Sequence, residues 1–248
     1  MHELLNVNFG KRFFSARFFY EVIFAIGKYM FEKAIAQPLF PTHIWIHCLK
    51  DQEAKRINKS AVGSLSRMMG CASAEPRGGS RQSSQNLHCF PEFAELVGIF
   101  NHASRAVLDT MRVKYEAFEI TGCWANIAGS GASHAMHTHA NNFLSGVYYV
   151  QTPPGTGAIC FQDPRDQRDI IQPRFEETNQ FNIVVQQVAV EAGTLIIFPS
   201  WLKHSVPTNT GQDERISISF NVMFSDYAKT ISPPRWSGIP LQSGSSST

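Results

Sequence analysis

The sequence predicts a mainly β fold with flanking helices, a β-sandwich or jelly roll braced by helical elements. Three observations predict it. Two stretches with helical spacing lie in the first half of the chain, at 51–69 and from Pro91 to about residue 115. Beyond residue 116 the character changes to short β-favouring runs separated by Gly and Pro. The last run, Arg215-Ile-Ser-Ile-Ser-Phe-Asn-Val-Met-Phe224, alternates with period two over much of its length. Helices first and then many short strands is the order expected of a β architecture with helical support. A chain of 248 residues, 43% hydrophobic and 12% aromatic, is large enough to bury one sizeable core.

Pro38 and Pro41 punctuate the chain before His43-Ile-Trp-Ile-His47, which alternates like a first strand. Gly70 to Asn86 is rich in Gly, Ser and Arg and reads as a loop. Phe93, Leu96, Val97, Phe100 and Val107 give the second helix its apolar face. Strands are expected at 116–127, 144–151, 157–162, 181–190, 194–199 and 215–224. The predicted organisation is an N-terminal helical leader at 1–37, a single domain at 38–240, and a Ser/Gly-rich tail at 241–248 expected to be disordered. The leader places Phe14, Phe18, Val22 and Ala25 on one stripe, as an amphipathic helix would. There is no internal repeat.

Composition excludes several function classes. The formal net charge is +2 and no basic stripe occurs, so a nucleic-acid partner is not expected. Arg17, Glu21 and Lys28 interrupt the apolar stretch Phe13–Phe31, which rules out a membrane span of ~20 apolar residues and a secretory signal. Lys11, Arg12 and Arg17 among aromatics keep an organelle-targeting or membrane-surface reading of the leader open beside the packed helix. Five cysteines (Cys48, Cys71, Cys89, Cys123 and Cys160), widely spaced and without a CxxC, suit free thiols in a reducing, cytoplasmic setting. The oligomeric state is not fixed by the sequence, and a homodimer is allowed.

Six of the nine histidines, His2, His43, His47, His88, His102 and His134, read as ordinary surface or hydrogen-bonded core residues. His137-Thr-His139 differs, because it comes shortly before the strand Leu144-Ser-Gly-Val-Tyr-Tyr-Val150. Residues at i and i+2 of an extended chain point to one face, so both imidazoles can reach one ion. A second piece, Ala192-Gly-Thr-Leu-Ile-Ile-Phe-Pro-Ser-Trp-Leu-Lys-His204, is a buried strand followed by a short turn that delivers His204. A third is Arg215-Ile-Ser217, where a guanidinium and a hydroxyl share one strand face and together suit a buried carboxylate.

This order of motifs resembles the iron(II)/2-oxoglutarate-dependent oxygenases, and in particular a bacterial group whose first motif reads His-x-His before a Ser-Gly-Val-Tyr-Tyr strand. The resemblance runs from about residue 120 to 224. A looser match of Phe40-Pro-Thr-His-Ile-Trp and Pro91-Glu-Phe-Ala-Glu-Leu extends it to about residue 40. It implies a double-stranded β-helix core and an enzyme, a 2-oxoglutarate-dependent dioxygenase that oxidises a small molecule or peptide side chain and releases succinate and CO2. It implies Fe(II) held by His137, His139 and His204, with O2 and 2-oxoglutarate as co-substrates. Arg215 with Ser217 would hold the distal carboxylate, Asn126 would contact the co-substrate, and Tyr148 or Tyr149 would face the cavity. No catalytic residue beyond the metal ligands is implied.

The chain departs from the family pattern in two places. His139 stands where the family places a carboxylate, so the bare site would carry 2+ rather than 1+. His204 and Arg215 are eleven residues apart, one more than in many members. Asp163 is a further candidate carboxylate, although Asp163-Pro-Arg165 reads more readily as a turn. Two other functions compete: a three-histidine, cupin-like dioxygenase that needs no 2-oxoglutarate, and a non-catalytic jelly-roll module that retains metal. Arg165, Arg168 and Arg174 could meet an anionic substrate, but as a run they read more simply as a solvated loop.

Overall fold

A computed structural model describes residues 36–69, 79–166 and 170–228. The expected leader helix, the start of the Gly/Ser-rich loop, Arg168 and the Ser/Gly tail lie outside these residues. The chain divides into two compact units, residues 1–42 and His43–Thr248. The description that follows concerns the second.

The second unit begins with strand β1 (Trp45–Cys48) and helix α1 (Asp51–Met69). Asp51 and Glu53 in the first turn and Arg67 in the last complement the helix dipole. Ala54, Ile57, Ala61 and Leu65 fall on one stripe and are buried. A 3-10 turn at Pro91–Phe93 leads into α2 (Ala94–Thr110), which buries Leu96, Phe100, Ala103, Val107 and Leu108.

α2 is shorter than its apolar pattern predicts. Arg112 adopts φ 57°, while its N–H donates to Asp109 O and that of Val113 donates to Leu108 O. This pair of bonds is a Schellman end, usually marked by glycine. An arginine fills the left-handed position here, so the sequence carries no stop signal.

Strands follow at β2 (Ser80–Gln82), β3 (Phe118–Ala128), β4 (His134–His137), β5 (Leu144–Gln151), β6 (Ala158–Gln162), β7 (Val185–Ala189), β8 (Thr194–Pro199), β9 (His204–Val206) and β10 (Arg215–Phe224). The six β-rich runs expected from the sequence appear as β3, β5, β6, β7, β8 and β10. β2 corrects the reading of 70–86 as loop throughout: Ser80–Gln82 pairs with the edge of β3, opposite Asn126–Ala128. β4 and β9 are too short for periodicity to reveal.

The strands form a six-stranded sheet of order β1-β8-β5-β10-β3-β2 and a four-stranded sheet of order β4-β9-β6-β7. Every strand pairing is antiparallel. One apolar core lies between the helices and the larger sheet, with Ile57, Phe100, Tyr148, Leu195, Ile197 and Phe220 at its centre. A second core joins the two sheets through Val147, Tyr149, Ile159, Phe161, Ile196 and Phe198. β8 contributes alternate residues to the two cores, which explains its unbroken apolar run. Gly146 on β5 is a packing requirement, because a Cβ there would overlap the Phe220 ring. The result is a mainly β fold with flanking helices. Among the described residues no helix is long and apolar enough to cross a membrane.

Candidate metal centre

The site grows from one end of the smaller sheet. His137 closes β4, His204 opens β9, and the two are direct cross-strand partners. His139 lies two residues past the end of β4, where its backbone N–H donates to Ser200 O at 2.9 Å. The three rings meet, with centroids 4.2 Å apart for His137–His204 and 5.1 Å for His137–His139 and His139–His204. One nitrogen from each lies within 4.8 Å of the others, a spacing that a single ion can bridge. A three-histidine cluster capable of chelating a metal ion is therefore present.

The hydrogen bonds favour ligation. His137 Nδ1 is 2.8 Å from Ala135 O, His204 Nδ1 is 2.9 Å from Leu202 O, and His139 Nδ1 is 2.6 Å from Asn221 Oδ1. Each partner is an oxygen acceptor, so each Nδ1 carries a proton, and in the neutral ring Nε2 is then the atom left with a lone pair for a metal. Burial works in the same direction. It depresses the pKa of His204 to about 3, despite the opposing bond to Leu202, and it lowers that of His139 despite the bond to Asn221. Neutral imidazoles with free Nε2 atoms are what a divalent cation requires, and the residues fit such an ion. Phe198 meets the His204 ring edge-on at 4.7 Å and Trp124 lies 5.7 Å from the His139 ring, walling the cluster with apolar surface.

No described carboxylate joins the cluster. Asp163, the alternative candidate, binds Arg165 through both carboxylate oxygens and accepts the Arg165 backbone N–H, which makes the expected turn. A three-histidine set fits a non-canonical centre better than a two-histidine, one-carboxylate triad.

Arg215, Ser217 and Ser219 project from alternate positions of β10 into the same pocket, with Asn126 opposite Ser217 on β3. Arg215 is 5% exposed, has no acidic partner among the described residues, and its Nε has no hydrogen-bond partner. Burial lowers its pKa, although a guanidinium stays charged. Neighbouring Glu214 is committed to Arg81 at 3.0 Å. Asn126 donates to Ser219 Oγ at 3.2 Å. Of the two candidate tyrosines, Tyr149 lines the pocket with a buried hydroxyl that lacks a partner, whereas Tyr148 faces the helices and donates to Asn58 Oδ1 at 2.6 Å. The Arg215 Nε and the Tyr149 hydroxyl are thus two buried polar groups in the pocket without a hydrogen-bond partner, a state that costs free energy.

Sequence reasoning missed two contributors. His134, read as ordinary, lines the pocket and stacks on His137 at 4.5 Å. Asn221 lies on the strand face of Arg215, Ser217 and Ser219, and extending the period-two pattern by one step would have found it. Arg165 and Arg174 are exposed, in keeping with a solvated loop.

Fold and site together define a mainly β architecture with flanking helices that carries a histidine triad able to hold a metal ion. Residues 122–221 match the family described as "Putative 2OG-Fe(II) oxygenase". The matched segment is 100 of the 248 residues and contains the triad His137-x-His139…His204.

Solved structures with a similar fold include a Pseudomonas putida prolyl-4-hydroxylase (14% identity, 74% of this chain and 93% of that chain, TM-score 0.51). HygX from Streptomyces hygroscopicus, with nickel and 2-oxoglutarate bound, is similar at 13% identity over 74% and 84% of the two chains, TM-score 0.51. The carbocyclase SnoK from nogalamycin biosynthesis is similar at 15% identity over 82% and 90%, TM-score 0.54. At these identities the likeness shows the fold alone. No curated protein matches the sequence.

Proposed function

We propose that the protein is an iron-dependent oxygenase with a three-histidine centre, built on a double-stranded β-helix (jelly-roll) domain spanning residues 38–240. The observation that carries this reading is the convergence of His137, His139 and His204, each anchored through Nδ1 to an oxygen. Bound iron(II) would supply activation of dioxygen. The chain's own residues hold neutral imidazoles in place, exclude water with Phe198 and Trp124, and leave one side of the cluster facing the pocket. The substrate on this reading is a small molecule or a peptide side chain.

A second reading, dependence on 2-oxoglutarate, is favoured by Arg215, Ser217 and Tyr149. A dicarboxylate could place its distal group on the guanidinium and the two hydroxyls, relieving the unpartnered Arg215 Nε and Tyr149 hydroxyl. Asn126 would then border the co-substrate.

Anaerobic titration with iron(II), first alone and then with 2-oxoglutarate, separates the readings. A weak visible charge-transfer band on adding 2-oxoglutarate supports the co-substrate reading. Iron binding without the band, combined with oxygen uptake in a metabolite or peptide pool, supports the three-histidine oxygenase that works without it. Iron binding with neither signal leaves a non-catalytic metal-retaining module, and absence of iron binding overturns all three.

A further inference from the structure

We propose that Asn221 is a positioning residue for the metal centre: its amide oxygen holds the His139 ring so that Nε2 faces the other two imidazoles. The inference rests on the three-histidine reading above. His137 and His204 are each anchored within two residues, to Ala135 O and Leu202 O, so their own strands set their rings. The Nδ1 of His139 instead bonds a side chain 82 residues away in sequence, at 2.6 Å. Nothing local to His139 fixes its ring or its tautomer.

Asn221 is itself held. Its Oδ1 also accepts the Ser145 hydroxyl at 2.8 Å, and Ser145 Oγ lies 2.9 Å from Ser200 Oγ. Both serines are fully buried, and Ser200 O accepts the His139 backbone N–H. A closed circuit therefore runs from the His139 backbone through Ser200, Ser145 and Asn221 back to the His139 ring, drawing on the residue after β8, the start of β5 and the interior of β10.

The donors and acceptors close in one sense. Ser200 donates to Ser145, Ser145 donates to Asn221, and the amide oxygen uses its second lone pair on the His139 Nδ1–H. With the amide turned over, its NH2 would face Nδ1 and force the ring proton onto Nε2, blocking ligation. A bulge between β3 and β10 helps aim the side chain. Asn221 opposes Gly122 while Val222 opposes Ile120, leaving Thr121 as the extra residue. One face of β10 thus carries both the anion anchor and the support for the third imidazole.

The test uses the full-length, metal-free protein titrated with Co(II). The readouts are the dissociation constant, from competition with a chromophoric chelator, and the visible d–d spectrum. Loss of an outer partner of a metal-bound histidine weakens affinity about 10–100-fold, and that loss is expected for Asn221→Leu, with an altered spectrum. Asn221→Asp keeps the acceptor and should bind Co(II) at least as tightly as the parent. Ser145→Ala keeps the His139 bond and should weaken binding less than Asn221→Leu does. The proposal is overturned if Asn221→Leu stays within twofold of the parent with the same spectrum. It is overturned equally if Asn221→Asp loses affinity, an outcome that remains readable if the leucine variant does not fold. A parent that does not bind Co(II) would sink the three-histidine reading itself, which is a distinct failure.

Discussion

His137 and His204 face each other across the β4–β9 ladder as direct register partners, with ring centroids 4.2 Å apart. Two of the three candidate ligands are therefore fixed by sheet pairing rather than by loops, and one cannot be removed without opening the cluster. His204→Ala should lose tight iron binding. The fold should survive, at a cost of about 1–3 kcal/mol for truncating a buried side chain. Metal analysis of the purified variant checks the first expectation and thermal unfolding the second. Full iron occupancy would remove His204 from the ligand set.

Arg215 is a buried cation without an acidic partner among the described residues, so its removal should act oppositely on the free and liganded protein. Arg215→Met is expected to leave the unliganded protein as stable as the parent or slightly more so, because a desolvated charge is replaced by apolar surface. The same variant should bind 2-oxoglutarate two to three orders of magnitude more weakly, since losing one partner of a buried carboxylate pair costs ~3–5 kcal/mol. Calorimetric titration of both proteins decides the matter. Equal affinities would end the carboxylate-anchor role.

The adjacent tyrosines should respond differently to loss of one oxygen. Tyr148→Phe strands the Asn58 amide oxygen and should cost about 1–2 kcal/mol of stability. Tyr149→Phe removes a buried hydroxyl that has no partner and should be neutral or mildly stabilising without ligand. Urea unfolding of the two variants side by side is sufficient, and a reversed order would mean the wrong tyrosine has been assigned to the pocket.

Stability of the metal-free protein should fall on acidification below pH 6.5. The folded state keeps His204 neutral down to about pH 3, while the unfolded chain takes up its proton near pH 6.5. The stabilisation is complete above the unfolded value and is lost progressively as pH falls from 6.5 toward 3, with His139 acting in the same direction. By pH 5.5 one such histidine accounts for about 1.4 kcal/mol. Thermal midpoints at pH 7.5 and 5.5, compared with those of His204→Leu, should show a smaller drop in the variant. An equal drop would place the acid sensitivity elsewhere.

By itself the sequence determined what depends on local period. The apolar stripes placed α1 and α2, continuous β-favouring runs placed β5 and β8, and two-residue alternation placed β10. The same alternation put Arg215 beside Ser217 and His137 beside His139, because side chains two apart on an extended chain share a face whatever surrounds them. Only the tertiary structure decided which Tyr of the pair enters the pocket, since alternation fixes that they oppose each other but not which sheet face meets the helices. It also revealed β2 inside an apparent loop, because a three-residue strand is stabilised by its partner β3 rather than by its own composition. The end of α2 was hidden for a related reason, Arg112 occupying a position normally signalled by glycine. The bond from His139 to Asn221 depends on cross-strand register and on a bulge, and such long-range pairings leave no local trace in the chain.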